Sequence, residues 1–307
     1  MSRLFCLLMM TTAPALAEVP KVVTDIAPVH ALVAQVMDGL GAPELIIPAN
    51  ASPHGYAMRP SEARNLAQSE IVVWVGPTLT PWLEGPVNAL GGQAKQLVLA
   101  EVNGINVLPF REGEAFEGHD PDHEHDHGHA DDGDEPSDPH LWLDPENASV
   151  WLTAIATVLA EADPDNAEVY HANANRGQIA IALQEKAIAE KLAPLSGTPF
   201  VVLHDAFHYF ESHFEVEAIA AVSAGDAAKP GAARIASLRA ELADSGVRCA
   251  FSEPQINASL LETVTEGLDV KIGVLDPLGA DLPLGPGQYA ALMGAMADSM
   301  VACLSHK

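Results

Sequence analysis

The chain has 307 residues, 15 Lys and Arg against 42 Asp and Glu, and a formal net charge of −27. So acidic a chain is repelled by phosphate, which excludes nucleic acid as a partner, and it favours cations instead. An apolar share of 48% provides for a real core and rules out global disorder, while no apolar run reaches the about 18 residues of a bilayer-spanning helix.

The N-terminus, MSRLFCLLMMTTAPALA, has the three parts of a secretory signal. Arg3 is the positive region, residues 4–10 the apolar stretch, and Ala15-Leu16-Ala17 the small-residue cleavage site. Residues 1–17 are therefore read as a signal peptide, the alternative being an uncleaved N-terminal helix. The mature chain would begin near Glu18 in an oxidising compartment. Cys6 lies too early to be a lipidated cysteine after the cleavage site. Two cysteines then remain, Cys249 and Cys303, and an even pair in an exported chain suggests one disulfide, with two buried free thiols as the alternative.

From residue 21 the chain alternates short β-branched runs with helical patterns. Residues 21–26 read as a strand, 28–40 as a helix, 44–47 as a second strand, and Pro60-Ser61-Glu62 opens a helix with proline and acid in its first turn. Residues 71–75 (IVVWV) suit a strand buried on both faces, and another strand follows near 96–102. Residues 111–139 interrupt this alternation. They hold His119, His123, His125, His127 and His129, twelve acidic residues and almost nothing apolar, and account for −11 of the −27. Such a segment cannot bury a face and is expected to be a disordered surface loop.

After Asn147 a helix runs to about Ala162, and Asp163-Pro164 starts a second, very long one that reaches Lys191. A helix well beyond the usual length, set between two α/β halves, reads as a stiff strut. The second half then resumes the alternation: strand 200–203, helix 206–214, strand 217–222, helix 232–244, strand 249–252, helix 260–268, strand 271–275 and a last helix from about Gln288. The fold class is α/β, two lobes each built on a mainly parallel sheet flanked by helices and joined by one long backbone helix. The expected division is 1–17 signal peptide, 18–162 N-terminal lobe with the His/acid-rich loop 111–139, 163–193 linking helix and 194–307 C-terminal lobe.

Outside the loop, His54, His140, His204 and Asp276 stand out. Three of the four fall at or just beyond the carboxyl end of a predicted strand, where open α/β sheets place ligand sites. Two come from each half, so a shared site would lie in the cleft between lobes. Three imidazoles with one carboxylate or water make a tetrahedral Zn²⁺ set. His204 and His208, in HDAFH, would lie four residues apart on one helix face, with His208 packed in the core or behind the ligands. His30 opens the first helix and is read as structural. No HExxH, GxSxG or phosphate-binding glycine loop accompanies them.

The segments SPHGYAMRPSEARNLAQSEIVVWVG around His54, DPHLWLDP around His140, VLHDAFHYF around His204, FSEPQ at 251–255 and VLDPLG around Asp276, with the His/acid-rich loop, together resemble the zinc-binding proteins of bacterial ABC importers. The resemblance covers about residues 19–304. It implies a monomeric periplasmic protein with a single metal in the interlobe cleft, its ligands His54, His140 and His204 with Asp276 a candidate fourth. It also implies a Cys249–Cys303 disulfide and an inner-membrane permease as partner, and it leaves room for a second periplasmic carrier as zinc donor. Manganese-binding relatives have Glu where this chain has His204, and imidazole there favours Zn²⁺. Some zinc relatives have Glu before the first ligand His, where this chain has Pro53, which leaves the fourth position to Asp276 or water. The five loop histidines would then collect zinc at low affinity. The expected function is capture of Zn²⁺ and delivery to an importer, with no bond made or broken. The alternative is a secreted zinc hydrolase using the same three histidines, a metal-bound water and Asp276 as base.

Overall fold

The computed structural model describes residues 19–111, 137–223 and 231–305. The signal peptide and the five loop histidines lie outside the described residues.

The first lobe follows the chain as β1 (Val22–Thr24), α1 (Ala27–Val36), β2 (Glu44–Leu45), α2 (Pro60–Gln68), β3 (Ile71–Trp74), α3 (Pro81–Leu90) and β4 (Lys95–Val98). All pairs are parallel and the strand order is β2-β1-β3-β4. Every residue of β3 is buried, as its unbroken apolar run requires of a central strand covered on both faces. The first helix ends at Val36, four residues before the apolar pattern does, because the chain turns through Gly39 at φ +81°. Helix α3 was not legible in the sequence, since Gly85-Pro86 inside it reads as a break. Burial of Leu83 and Val87, one turn apart, overrides the missing proline N–H.

Two helices follow, α4 (Pro145–Ala162) and α5 (Ala167–Leu192). The long helix predicted from Asp163 begins instead with a 3₁₀ turn at Pro164–Asn166 and then runs 26 residues. Gly177 lets α5 lie close to its neighbours, since a Cβ there would meet Leu152 of α4 at 2.7 Å and Gln35 of α1 at 2.9 Å. Asn173 of α5 donates to the carbonyls of Val36 and Asp38, both at 2.9 Å, and so closes the open end of α1.

The second lobe repeats the plan with β5 (Phe200–His204), α6 (His208–Phe214), β6 (Ala220–Ser223), α7 (Ala232–Ser245), β7 (Cys249–Ser252), α8 (Ser259–Thr265), β8 (Lys271–Val274) and α9 (Gln288–Leu304). Its sheet is again parallel, in the order β6-β5-β7-β8. Strand alternation divides the packing. Phe200 and Val202 of β5 and Phe251 of β7 join a core that continues through α9, α5 and α4 into the first lobe. Val201, Leu203 and Ala250 face the other way, into a separate cluster with Leu238, Leu242 and Leu261 of α7 and α8. One apolar core thus crosses from lobe to lobe.

A polar clip reinforces that crossing. His213 of α6 lies 3.3 Å from Asp144, the N-cap of α4, and 3.3 Å from Glu185 on α5. Burial alone would lower the His213 pKa, but the two carboxylates hold it above its ordinary value. Burial would raise Asp144, yet bonds from His213, the Glu146 amide and Asn106 hold its carboxyl below the usual carboxylate range. The His213 contribution to stability is therefore fully present below 6.5 and lost as pH rises through its elevated folded value. The Asp144 contribution is present above 3.8 and lost only in stronger acid. The variant His213→Gln should melt well below the parent at pH 6 and close to it at pH 9; an equal deficit at both pH values in thermal melts would remove the ion pair from this account.

Candidate metal centre

Each of three histidines is brought to the interlobe cleft by a different local device. His54 sits in a 3₁₀ turn, Pro53–Gly55, beyond β2, and Trp82 of α3 fixes that turn by donating its indole N–H to the Pro53 carbonyl at 2.7 Å. His140 caps a 3₁₀ turn, Leu141–Leu143, that leads into α4. Trp142 in this turn donates to the Pro277 carbonyl at 2.8 Å, and the Tyr289 hydroxyl donates to the Trp142 carbonyl at 3.0 Å, so the His140 segment is fastened to the second lobe. His204 is the last residue of β5. The chain leaves β5 toward β6 on one side and returns to β7 on the other, so His204 stands at the topological switch point of its sheet. The equivalent crevice of the first lobe is closed by Asp25, which accepts from the Ile26 and Val75 amides, both at 2.8 Å. Burial pushes the Asp25 carboxyl up to about 7.

The three side chains offer ligand atoms that all lie within 4.8 Å of one another. Their ring centroids are 5.4 Å apart for His54 and His140, 5.6 Å for His54 and His204, and 5.1 Å for His140 and His204, all edge to face. His140 and His204 are 2% and 4% exposed, and His54 is half-buried. Residues of both lobes line the cavity around them, Pro53 and Trp142 from one side, Glu253, Gln255 and Leu278 from the other.

Carboxylates stand behind two of the rings. Asp138 Oδ1 accepts from both the backbone N–H and Nδ1 of His140, at 2.9 and 2.7 Å. Glu253, one residue past β7, places Oε2 3.5 Å from Nδ1 of His204. A ring that gives its Nδ1 proton to a carboxylate keeps the Nε2 lone pair for a metal, the arrangement that orients imidazole ligands in metalloproteins. Burial pushes the Asp138 carboxyl up to about 6, against the His140 amide and the nearby positive charge of His208 and Arg111. Three neutral nitrogen donors with no thiolate and no carboxylate among them suit Zn²⁺ and disfavour Ca²⁺, Mg²⁺ and Mn²⁺.

Asp276 is not brought into this group. Its carboxylate accepts from the amides of Leu278 at 3.0 Å, Gly279 at 2.9 Å and Ala280 at 2.5 Å, and from Gln255 Nε2 at 2.9 Å. A short side chain at a strand-to-loop corner satisfies its own loop first. His204 and His208 do not share a helix face, because His204 ends β5 and His208 opens α6. His208 stands behind the site, its Nδ1 3.8 Å from Asp138 Oδ2. His30, buried in α1, bonds to the Pro43 carbonyl through Nε2 at 3.1 Å. Asp138 and Glu253 were not singled out from the sequence. Asp138 was available as the acid two residues before His140, and Glu253 as the acid just beyond a strand, in the same topological place as His204.

The two ends of the His/acid-rich segment meet against the site. Pro109 and Ser137 form an antiparallel bridge, and the Tyr209 hydroxyl of α6 accepts from the Leu108 amide at 2.9 Å and donates to the Asp138 carbonyl at 3.0 Å. Arg111 pairs with Asp205, next to His204, and with Glu211 of α6 at 2.6 Å. Cys249 and Cys303 form a disulfide that joins β7 to α9, with Cα atoms 6.0 Å apart.

Two parallel-sheet lobes on a long helix, closing on a cage of three imidazoles, define a solute-binding protein for a metal ion. Residues 22–303 match the family described as ZnuA, zinc-uptake complex component A, periplasmic. The chain belongs to that family. It is 42% identical over 305 residues to the high-affinity zinc uptake system protein ZnuA of Paracoccus denitrificans (strain Pd 1222), covering 95% of this chain and 94% of that one. Against the protein of the same name from Brucella suis biovar 1 (strain 1330) the identity is 37%, covering 92% and 91%. A crystal structure of ZnuA shares the fold with a TM-score of 0.78, at 23% identity, over 93% of this chain and 99% of that one.

Proposed function

We propose that this chain is the zinc-binding component of an ABC-type zinc importer, and that it holds Zn²⁺ through Nε2 of His54, His140 and His204. The observation that carries this reading is the convergence of three imidazoles from two lobes to within 4.8 Å, in a chain of the ZnuA family. Zinc is the cargo, and the family is a component of uptake rather than an enzyme, so the hydrolase alternative is set aside. A water completes the tetrahedron, since the Asp276 carboxylate is engaged by its own loop.

The division into residues 18–162, 163–193 and 194–307, and removal of residues 1–17 on export to the periplasm, complete the proposal. The partner is an inner-membrane permease that opens the cleft and so breaks up the three-histidine cage. The continuous interlobe core supports a small motion of that kind, because packed interiors shift between discrete arrangements instead of stretching. Competition of the purified protein with a chromogenic chelator should give one tight Zn²⁺ per chain, with affinity falling as pH drops through about 6.5 and the imidazoles protonate. A protein that loses every competition with a micromolar chelator would overturn the reading.

A further inference from the structure

Tyr209 occupies a place in the backbone ladder beside the site. Leu108 and Asp138 face each other where the two ends of the His/acid-rich segment meet, next to the antiparallel Pro109–Ser137 bridge. Paired residues at such a position exchange two bonds, each amide donating to the opposite carbonyl. One of these is direct, from the Asp138 amide to the Leu108 carbonyl at 2.9 Å. The return bond runs through a side chain of the second lobe: the Leu108 amide donates to the Tyr209 hydroxyl at 2.9 Å, and that hydroxyl donates to the Asp138 carbonyl at 3.0 Å. The roles are fixed by chemistry, since an amide N–H can only donate and a carbonyl can only accept, which uses the one proton of the phenol. A direct return bond would bring this amide and carbonyl to about 2.9 Å, so the inserted hydroxyl holds the rung open.

Asp138 is thereby held at both of its backbone groups, by Leu108 and by Tyr209, while its Oδ1 takes the amide and the ring Nδ1 of His140 at 2.9 and 2.7 Å. Tyr209 is buried in the first turn of α6, a helix that sets Phe210 and Phe214 into the core and begins four residues after His204. Its hydroxyl therefore has a fixed place relative to one ligand and reaches the acid that orients another. Glu211, two residues further along α6, pairs with Arg111 at 2.6 Å and holds the same segment to the helix. The Trp142 and Tyr289 bonds act on the turn that follows His140. Tyr209 acts on the residue whose carboxylate sets the His140 ring.

Resting on the zinc-site reading above, we propose that Tyr209 is a positioning residue for zinc binding: its hydroxyl, inserted between Leu108 and Asp138, fixes Asp138 and so aims Nε2 of His140 at the ion that His204 also holds. Without the hydroxyl the open rung closes or is left unpaired. Either outcome shifts Asp138, and the ring bonded to it turns with it. The hydroxyl touches no ligand and acts only through the carboxylate behind one.

The test is a double-mutant cycle on zinc affinity in the purified protein, measured by chelator competition, together with nitrogen-15 spectra of the histidine rings in the metal-free protein. Tyr209→Phe keeps the buried ring and removes only the hydroxyl. It should weaken zinc binding about fivefold, the worth of one hydrogen bond. It should also shift the ring signals of His140 and leave those of His30, in α1, unchanged. In an Asp138→Ala background the same substitution should change affinity less than about twofold, because the carboxylate it positions is gone. A role confined to packing would lower the melting temperature and give the same loss in both backgrounds, which would overturn the proposal, as would parent affinity in Tyr209→Phe. Weak zinc binding by the parent protein would overturn the zinc-site reading. An unmoved His140 ring signal in Tyr209→Phe, read without metal, would overturn this proposal alone.

Discussion

Replacing His140 with Ala should lower zinc affinity by more than about a hundredfold, beyond the range expected of any residue behind the ligands. On the proposed ligand set, three nitrogens within 4.8 Å are the protein's share of the site, so losing one leaves two and water must fill half of the coordination shell. The companion variant Asp138→Asn should fall between, with a loss of about tenfold to a hundredfold. It removes the carboxylate that takes the Nδ1 proton of His140 at 2.7 Å, and with it the force that presents Nε2 to the metal. Isothermal titration or chelator competition at pH 7.5 separates the two steps. Equal affinities for the parent and His140→Ala would remove this residue from the ligand set.

Converting Cys249 and Cys303 together to Ser should destabilise the metal-free protein by roughly 4 kcal/mol on the chain-entropy account. The pair closes a loop with a sequence separation of 54, and that loop contains α8, β8 and most of α9. The sulfurs are deeply packed: a Cβ on Gly273 of β8 would come within 3.3 Å of Cys303 Sγ and 2.8 Å of Phe251. Strand β8 is the edge of its sheet, paired with β7, and it is tied to α9 through Ser299, which donates to the Val274 carbonyl, and Lys271, which donates to the Ala302 carbonyl at 3.1 Å. Unfolding should therefore begin at β8 and α9. A fall in melting temperature on the order of 10 °C on substitution or reduction is expected, with hydrogen exchange rising first in residues 271–274 and 288–304. Zinc affinity of the folded variant should change little, because no ligand lies on those elements. Identical melts for oxidised and reduced protein would contradict this.

The acidity of the chain takes on a different meaning beside the site. The three proposed ligands are neutral imidazoles, and two acids, Asp138 and Glu253, stand behind the rings of His140 and His204. Of the −27, −11 belongs to residues 111–139. Its described ends lie near the site: Tyr209 joins the Leu108 amide to the Asp138 carbonyl, and Arg111 pairs with Asp205, next to His204. The described ends of that segment thus lie beside a site whose three proposed ligands carry no charge.

The sequence by itself determined the alternation of strands and helices, the two halves with a long helix between them, and the three histidines at the ends of strands or just past the acidic segment. These are local matters. Periodicity, proline and glycine punctuation and residue chemistry act over a few neighbours, and they survive in the folded chain because burial agrees with them. It could not find α3 behind Gly85-Pro86, nor choose Asp138, Glu253 and Gln255 from many similar polar residues. Those outcomes depend on contacts between residues far apart in the chain, such as Gln255 with Ala49, 206 residues away, and Trp142 with Pro277, 135 away. Asp276 is a ligand candidate by type and position, and only the folded loop shows its oxygens accepting from three amides and a carboxamide. A polar side chain bonds to whatever the tertiary structure sets beside it, and which partner that is lies outside the reach of local pattern.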